Sequence, residues 1–245
     1  MTAALVYKSR RACFSIGAAA LLFLLIVSPC RSQTDPPNLD VRLFRSINNG
    51  QSSFNTSILN VTDYSVYPVV IGVPIGLTAY GLAADRNEEF ESGVLLCSSE
   101  VLAYGLSTLL KDAIRRDRPY EVLSGVHTNH LETSDPYSFP SGHATGAFAL
   151  ATLLTLRYPK PGVYIPAFAY AALVGYGRVY FGLHYPGDAL AGALLGAGSS
   201  LLIYEYRAKL LPLAYKAIGR REPTNFTAVI VPDREGALMN IVVTF

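Results

Sequence analysis

Between Asp63 and Asp85 the chain runs through residues 64–84 without one charged side chain. As a helix rising 1.5 Å per residue, that run spans roughly 31 Å, about the thickness of a bilayer's hydrocarbon core. It must be buried in lipid or inside a bundle of other helices. Four further runs have the same character: Ser92–Leu110, interrupted only by Glu100, then Ala144–Leu156, Val163–Gly177 and Ala189–Tyr204. They are rich in small residues, as at Ala191-Gly192-Ala193 and Gly196-Ala197-Gly198, which lets helices approach closely. A sixth run, Cys13–Val27, follows Lys8, Arg10 and Arg11 and stops at Ser28-Pro29. That layout is a secretory signal cleaved before Gln33, or an uncleaved first membrane helix. Both readings send the next segment across the membrane.

With 51% apolar and only 16% charged residues, a membrane bundle is favoured over a soluble helical one. Two features suit the soluble alternative. Several runs fall short of the usual span, and a mid-membrane Glu100 is costly unless paired. The expectation is an all-α, six-helix membrane bundle with a short C-terminal β-hairpin. The hairpin comes from β-prone Ala228–Val231 and Leu238–Phe245 around the turn residues 232–236. The domain reading is 1–32 signal or first membrane helix, 33–63 extracytoplasmic segment, 64–206 helical domain and 207–245 basic tail with the hairpin. Short amphipathic Val41–Ile47 suits a membrane surface. Six crossings from a cytoplasmic N-terminus put Arg157, Lys160, Arg207, Lys209, Lys216, Arg220 and Arg221 inside. The same crossings gather 111–140 and 178–188 on one outer face. A net charge of +2 and the lack of a basic, aromatic-interleaved stretch argue against a nucleic-acid partner. Cys13, Cys30 and Cys97 have no metal-ligand spacing, so neither zinc nor a disulfide is expected.

Three polar clusters interrupt the apolar pattern. Lys111-Asp112-Ala113-Ile114-Arg115-Arg116-Asp117-Arg118-Pro119 places Lys111 and Arg118 seven residues apart, on one face if a helix continues. Pro119 discourages that continuation. Two cations suit a phosphate, and an ordinary basic helix end looks the same; Arg115 and Arg116 are read as such an end. Pro140-Ser141-Gly142-His143 opens a helix, with Ser141 as N-cap, Gly142 letting a ligand approach and free N–H groups suited to an anion. His143 stands beside such an anion, placed to give it a proton. Arg178, His184 and Asp188 form the third cluster, in which Asp188 can return to the imidazole and fix its tautomer. His127 and His130, in the long loop between the first two clusters, read as solvated residues of a loop long enough to cover the site.

In this order the three clusters strongly resemble the phosphatidic acid phosphatase type 2 and vanadium haloperoxidase superfamily, over roughly residues 39–204. The wording Arg178-Val179-Tyr180-Phe181-Gly182 and His184-Tyr185-Pro186 is most similar to bacterial membrane lipid phosphatases. The resemblance implies a haloperoxidase-like helical core and makes 64–206 the catalytic domain. It implies that Lys111, Arg118 and Arg178 hold phosphate oxygens, with the backbone at Ser141 and Gly142 adding hydrogen bonds. His184, oriented by Asp188, attacks phosphorus, and His143 protonates the leaving group. No metal or cofactor is implied, since three cations supply the charge. The implied substrate is a lipid phosphate or pyrophosphate, undecaprenyl diphosphate first, hydrolysed at the periplasmic face of a bacterial inner membrane. The other readings are a soluble periplasmic acid phosphatase, a vanadium-dependent haloperoxidase and a non-catalytic lipid-binding membrane protein. One departure stands out: Gly177 replaces the family's usual Ser before Arg178.

Overall fold

The computed structural model describes residues 38–128, 135–220, 225–233 and 236–244. The expected N-terminal run and its cleavage site, and His130, lie outside them. The five other apolar runs are all helices, and each is longer than its uncharged stretch. They are α2 (Ser53–Ala83), α3 (Asn87–Ile114), α5 (Gly142–Arg157), α6 (Pro161–Tyr180) and α7 (Pro186–Glu205). Around them lie α1 (Leu39–Asn48), the single turn α4 (Pro119–Val122) and α8 (Arg207–Ala217). The bundle is entirely helical. Beyond it, β1 (Asn225–Asp233) pairs antiparallel with β2 (Gly236–Thr244), Asn225 opposite Thr244.

Two boundaries differ from the sequence reading. The helix expected from Tyr64 starts at Ser53, because Ser52 caps it by accepting the Asn55 N–H. Its polar first turns face partners rather than ending the helix: Thr56 bonds the Tyr180 hydroxyl, and Asp63 pairs with Arg178. At roughly 46 Å, α2 outreaches a hydrocarbon core, so these turns extend beyond it. The start of the tail is also helical, since Arg207–Ala217 forms α8 and buries Leu211 and Tyr215.

The largest core cluster joins Val66 and Val70 of α2, Leu95 and Leu96 of α3, Leu150 and Leu153 of α5, and Val174 of α6. α5 and α7 meet through small residues. A Cβ at Gly192 would lie 2.5 Å from the Ser141 carbonyl, and one at Gly196 would collide with the Thr145 carbonyl. Ser200 of α7 closes the contact by donating to the Ala149 carbonyl. This approach sets the start of α5 against the start of α7. Among the described residues, three helical stretches are long and apolar enough to cross a membrane: α2, Asn87–Val122 and α7. Their outward residues are large and apolar, including Val61, Val101, Leu109 and Leu190, as lipid contact allows.

Replacing Gly196 by Leu should therefore destabilise the bundle by about 1–3 kcal/mol or more, as overpacking does. Gly198→Leu should be nearly neutral, because nothing lies within 4 Å of a Cβ there. Thermal unfolding of both variants in detergent checks this.

Candidate active site

The three motif segments converge at one end of the bundle. α3 ends at Ile114, with Arg115 in the left-handed region at φ 51°. Lys111 and Arg118 therefore do not share a helical face; the chain turns between them. They meet because both reach Asp135. Its Oδ1 lies 3.0 Å from Lys111 Nζ and 2.9 Å from an Arg118 terminal nitrogen. Lys111 also donates to the Tyr137 carbonyl, and Arg118 to the Leu183 carbonyl. Burial pushes the Asp135 carboxyl up, but Lys111 and Arg118 outweigh it and hold it below its ordinary range.

Arg178, in the last turn of α6, donates to Asp63 at 2.6 Å. Arg118 and Arg178 are 1% and 5% exposed, and among the described residues the buried Nε–H of each has no hydrogen-bond partner. Buried guanidinium donors are normally paired, which makes these two Nε–H groups candidates to receive a ligand oxygen.

His184 follows the turn Phe181–Gly182–Leu183. Gly182 sits at φ +73°, and a Cβ there would meet Val126 and the His127 carbonyl, so the turn requires glycine. Asn48, at the end of α1, ties this turn to the loop by donating to the Tyr180 and His127 carbonyls and accepting the His127 N–H. The His127 side chain is exposed, as its reading as a solvated residue expects.

The His184 imidazole is 2% exposed. Its Nδ1 lies 2.6 Å from the Ser138 carbonyl. A carbonyl only accepts, so the proton is on Nδ1 and Nε2 keeps its lone pair. Nε2 lies 3.4 Å from Arg118. Burial pushes the imidazole pKa down to about 4; Asp188 opposes this, and Arg178 and Arg118 add to it. The ring is therefore neutral at pH 7.

Asp188 does not bond the imidazole as the sequence suggested. Its Oδ2 stands 3.8 Å from Nδ1, beyond hydrogen-bond range. Ser138 comes between them, its hydroxyl donating to Oδ2 at 2.5 Å while its carbonyl takes the Nδ1 proton. Ser141 also differs. It caps α5 through its side chain, but its N–H donates to the Asp188 carbonyl at 3.0 Å. That commits the donor expected to face phosphate, and leaves Gly142 and His143 as the first N–H groups of α5. His143 packs edge-on against Tyr67, centroids 4.9 Å apart, within electrostatic reach of Arg178, His184, Arg118 and Lys111. Gly177 lies against Leu59, with a Cβ-to-Leu59 distance of 3.6 Å, so a serine side chain would fit there.

The PAP2 superfamily model matches residues 92–212. The undecaprenyl-diphosphatase of Sulfolobus acidocaldarius is 31% identical over 161 residues, 61% of this chain and 76% of that protein. The chain belongs to the PAP2 superfamily. A second relative, the decaprenylphosphoryl-5-phosphoribose phosphatase of Mycobacterium tuberculosis, is 32% identical over 123 residues, 49% of this chain and 62% of that protein. The crystal structure of the transmembrane PAP2 type phosphatidylglycerolphosphate phosphatase from Bacillus subtilis superposes with a TM-score of 0.57. It covers 79% of this chain and 96% of its own at 23% identity, a likeness of fold. With its membrane-length helices, the PAP2 fold here is that of an integral membrane protein.

The sequence reading missed Ser138, Asp63 and Asp135, whose partners are far along the chain. It also set Arg116 aside as interface charge, although Arg116 reaches Asp188 at 2.6 Å. With the folded pKa of His184 near 4 rather than 6.5, the unfolded chain takes up a proton first as pH falls. Stability should be fully present above pH 6.5 and lost on going down toward 4. Unfolding of wild type and His184→Gln in detergent across that window should show a shallower decline in the variant.

Proposed function

We propose that the protein hydrolyses a lipid-linked phosphate or pyrophosphate through a phosphohistidine on His184. The observation that carries this is the neutral, buried imidazole, its unprotonated Nε2 3.4 Å from an Arg118 terminal nitrogen, together with Arg118 and Arg178 Nε–H donors that no described residue pairs. A phosphate among Lys111, Arg118 and Arg178 would have its oxygens neutralised and its phosphorus presented to Nε2. His184 attacks in line and the P–O bond to the leaving group breaks; His143, which burial and the nearby cations otherwise keep unprotonated, takes up a proton when the phosphate's negative charge offsets those cations and gives it to the leaving oxygen. Water, deprotonated by His143, then splits the P–N bond to release phosphate and restore the imidazole. The three cations do the work of charge stabilisation, so the reading is metal-independent.

The best candidate substrate is undecaprenyl diphosphate. Support comes from the names of two relatives, both of which carry a polyprenyl group, and from the apolar outer surface of the bundle. The site end lies opposite Arg157, which ends α5 with Glu91 and Ser92 as partners. With positive charge inside, this arrangement supports a site on the periplasmic side of a bacterial inner membrane.

Asp135 now holds the two cations that a phosphate would take, so substrate must displace its carboxylate. Asp135→Asn should lower KM severalfold, measured as phosphate release in detergent. In the same assay, with EDTA present, wild type should release phosphate from undecaprenyl diphosphate faster than from p-nitrophenyl phosphate. His184→Ala should lose at least ~10³-fold in kcat, as loss of a nucleophile does. Rapid quenching with labelled substrate should trap an acid-labile, alkali-stable phosphoprotein in wild type and none in the variant. Equal activity of wild type and His184→Ala would overturn the reading.

A further inference from the structure

Asp188 divides its two oxygens between different partners. Oδ2 receives the Ser138 hydroxyl and the Tyr185 N–H, at 2.5 and 2.8 Å. Oδ1 receives one terminal nitrogen of Arg116 at 2.6 Å. The other terminal nitrogen of Arg116 donates to Asp40 Oδ2 at 2.7 Å. Asp40 Oδ1 then accepts the Gly187 N–H at 2.7 Å, one residue before Asp188. The Arg116 guanidinium lies over the Tyr185 ring, its Cζ 3.9 Å from the centroid. Position 187 has to be small, since a Cβ there would come within 3.0 Å of the Asp40 carboxylate.

Each group in this chain has one geometry open to it. The guanidinium is planar and its two ends are both committed, so it cannot turn without losing a charge-assisted bond. Asp188 is fully buried, and among the described residues Arg116 is the one permanent cation bonded to it, so its charge depends on that contact. Asp40 lies on α1, upstream of the segment 92–212 that the family model matches.

We infer that Arg116 and Asp40 are positioning residues for the reaction, acting on His184 through Asp188 and Ser138. The inference rests on the reading of His184 as the attacking group. Arg116 keeps Asp188 ionised and in one rotamer. Asp188 holds the Ser138 hydroxyl, and the Ser138 peptide fixes the Nδ1–H tautomer that leaves Nε2 free. Asp40 sets the orientation of Arg116 and anchors the start of α7. Among the described residues, neither side chain bonds Lys111, Arg118 or Arg178, so loss of either should appear in the chemical step and not in substrate binding.

The experiment compares Arg116→Gln, Arg116→Lys, Asp40→Asn and His184→Ala, purified in detergent, for phosphate release, thermal unfolding and the ¹⁵N shifts of the His184 ring. Arg116→Gln should lower kcat about tenfold or more with KM within about twofold, and the ring nitrogens should move toward a mixed tautomer. Arg116→Lys keeps the charge but not the fork, and should recover part of the kcat. Asp40→Asn should act in the same direction but more weakly. Adding it to Arg116→Gln should cost little more, because the two residues act as one unit. If Arg116→Gln fails to fold, Asp40→Asn carries the same test through its kcat and ring shifts. Folded variants with wild-type kcat and unchanged ring shifts, beside an inactive His184→Ala, would sink the inference and leave the proposed reaction standing. An active His184→Ala would instead remove the reading on which the inference rests.

Discussion

Everything at the site end hangs on the 2.6 Å bond from His184 Nδ1–H to the Ser138 carbonyl. An imidazole can attack only through a nitrogen with a free lone pair, and this bond decides which nitrogen that is. It also joins two chain segments that α5 and α6 separate, because Ser138 stands just before α5 and His184 just before α7. Close passage of α5 against α7 at Gly192 and Gly196 makes that junction possible. Packing of small residues in the apolar layer thus sets a proton position at the polar end.

Charge at this end is organised as alternation. Lys111, Arg118, Arg178 and Arg116 would repel one another if they were brought together bare. Each has a carboxylate instead: Asp135 for the first two, Asp63 for Arg178, and Asp40 with Asp188 for Arg116. The partners are not equivalent. Asp188 and Asp63 are buried or nearly so, whereas the Asp135 side chain is 40% exposed. A carboxylate in contact with solvent is the cheapest one for an incoming phosphate to replace, since water can take it up. The unpaired Nε–H groups of Arg118 and Arg178 add donors that none of these carboxylates satisfies.

The helices beyond the family match belong to the same machinery. α2 is long enough to carry Asp63 out of the apolar layer to Arg178, and Tyr67 one turn further to His143. α1 delivers Asn48 to the Gly182 turn and Asp40 to Arg116. An amphipathic segment that reads as a surface helix therefore has its buried face committed to the site.

The sequence by itself determined the helical class, the five described apolar helices and the clusters of residue types suited to phosphate. A charge-free run of membrane length has few ways to be buried, and Lys111, Arg118, His143, Arg178 and His184 are marked by residue type and short spacing. It misjudged where helices start, because the polar turns after Ser52 look like linker until their partners on α6 are known. Only the tertiary structure decided how those residues are connected. Ser138 took the place assigned to Asp188, Ser141 gave its N–H to the Asp188 carbonyl, and Arg116 left the surface for a buried carboxylate. Each is a contact between residues distant in the chain, and local spacing has no periodicity that records which distant backbone group will accept a given proton.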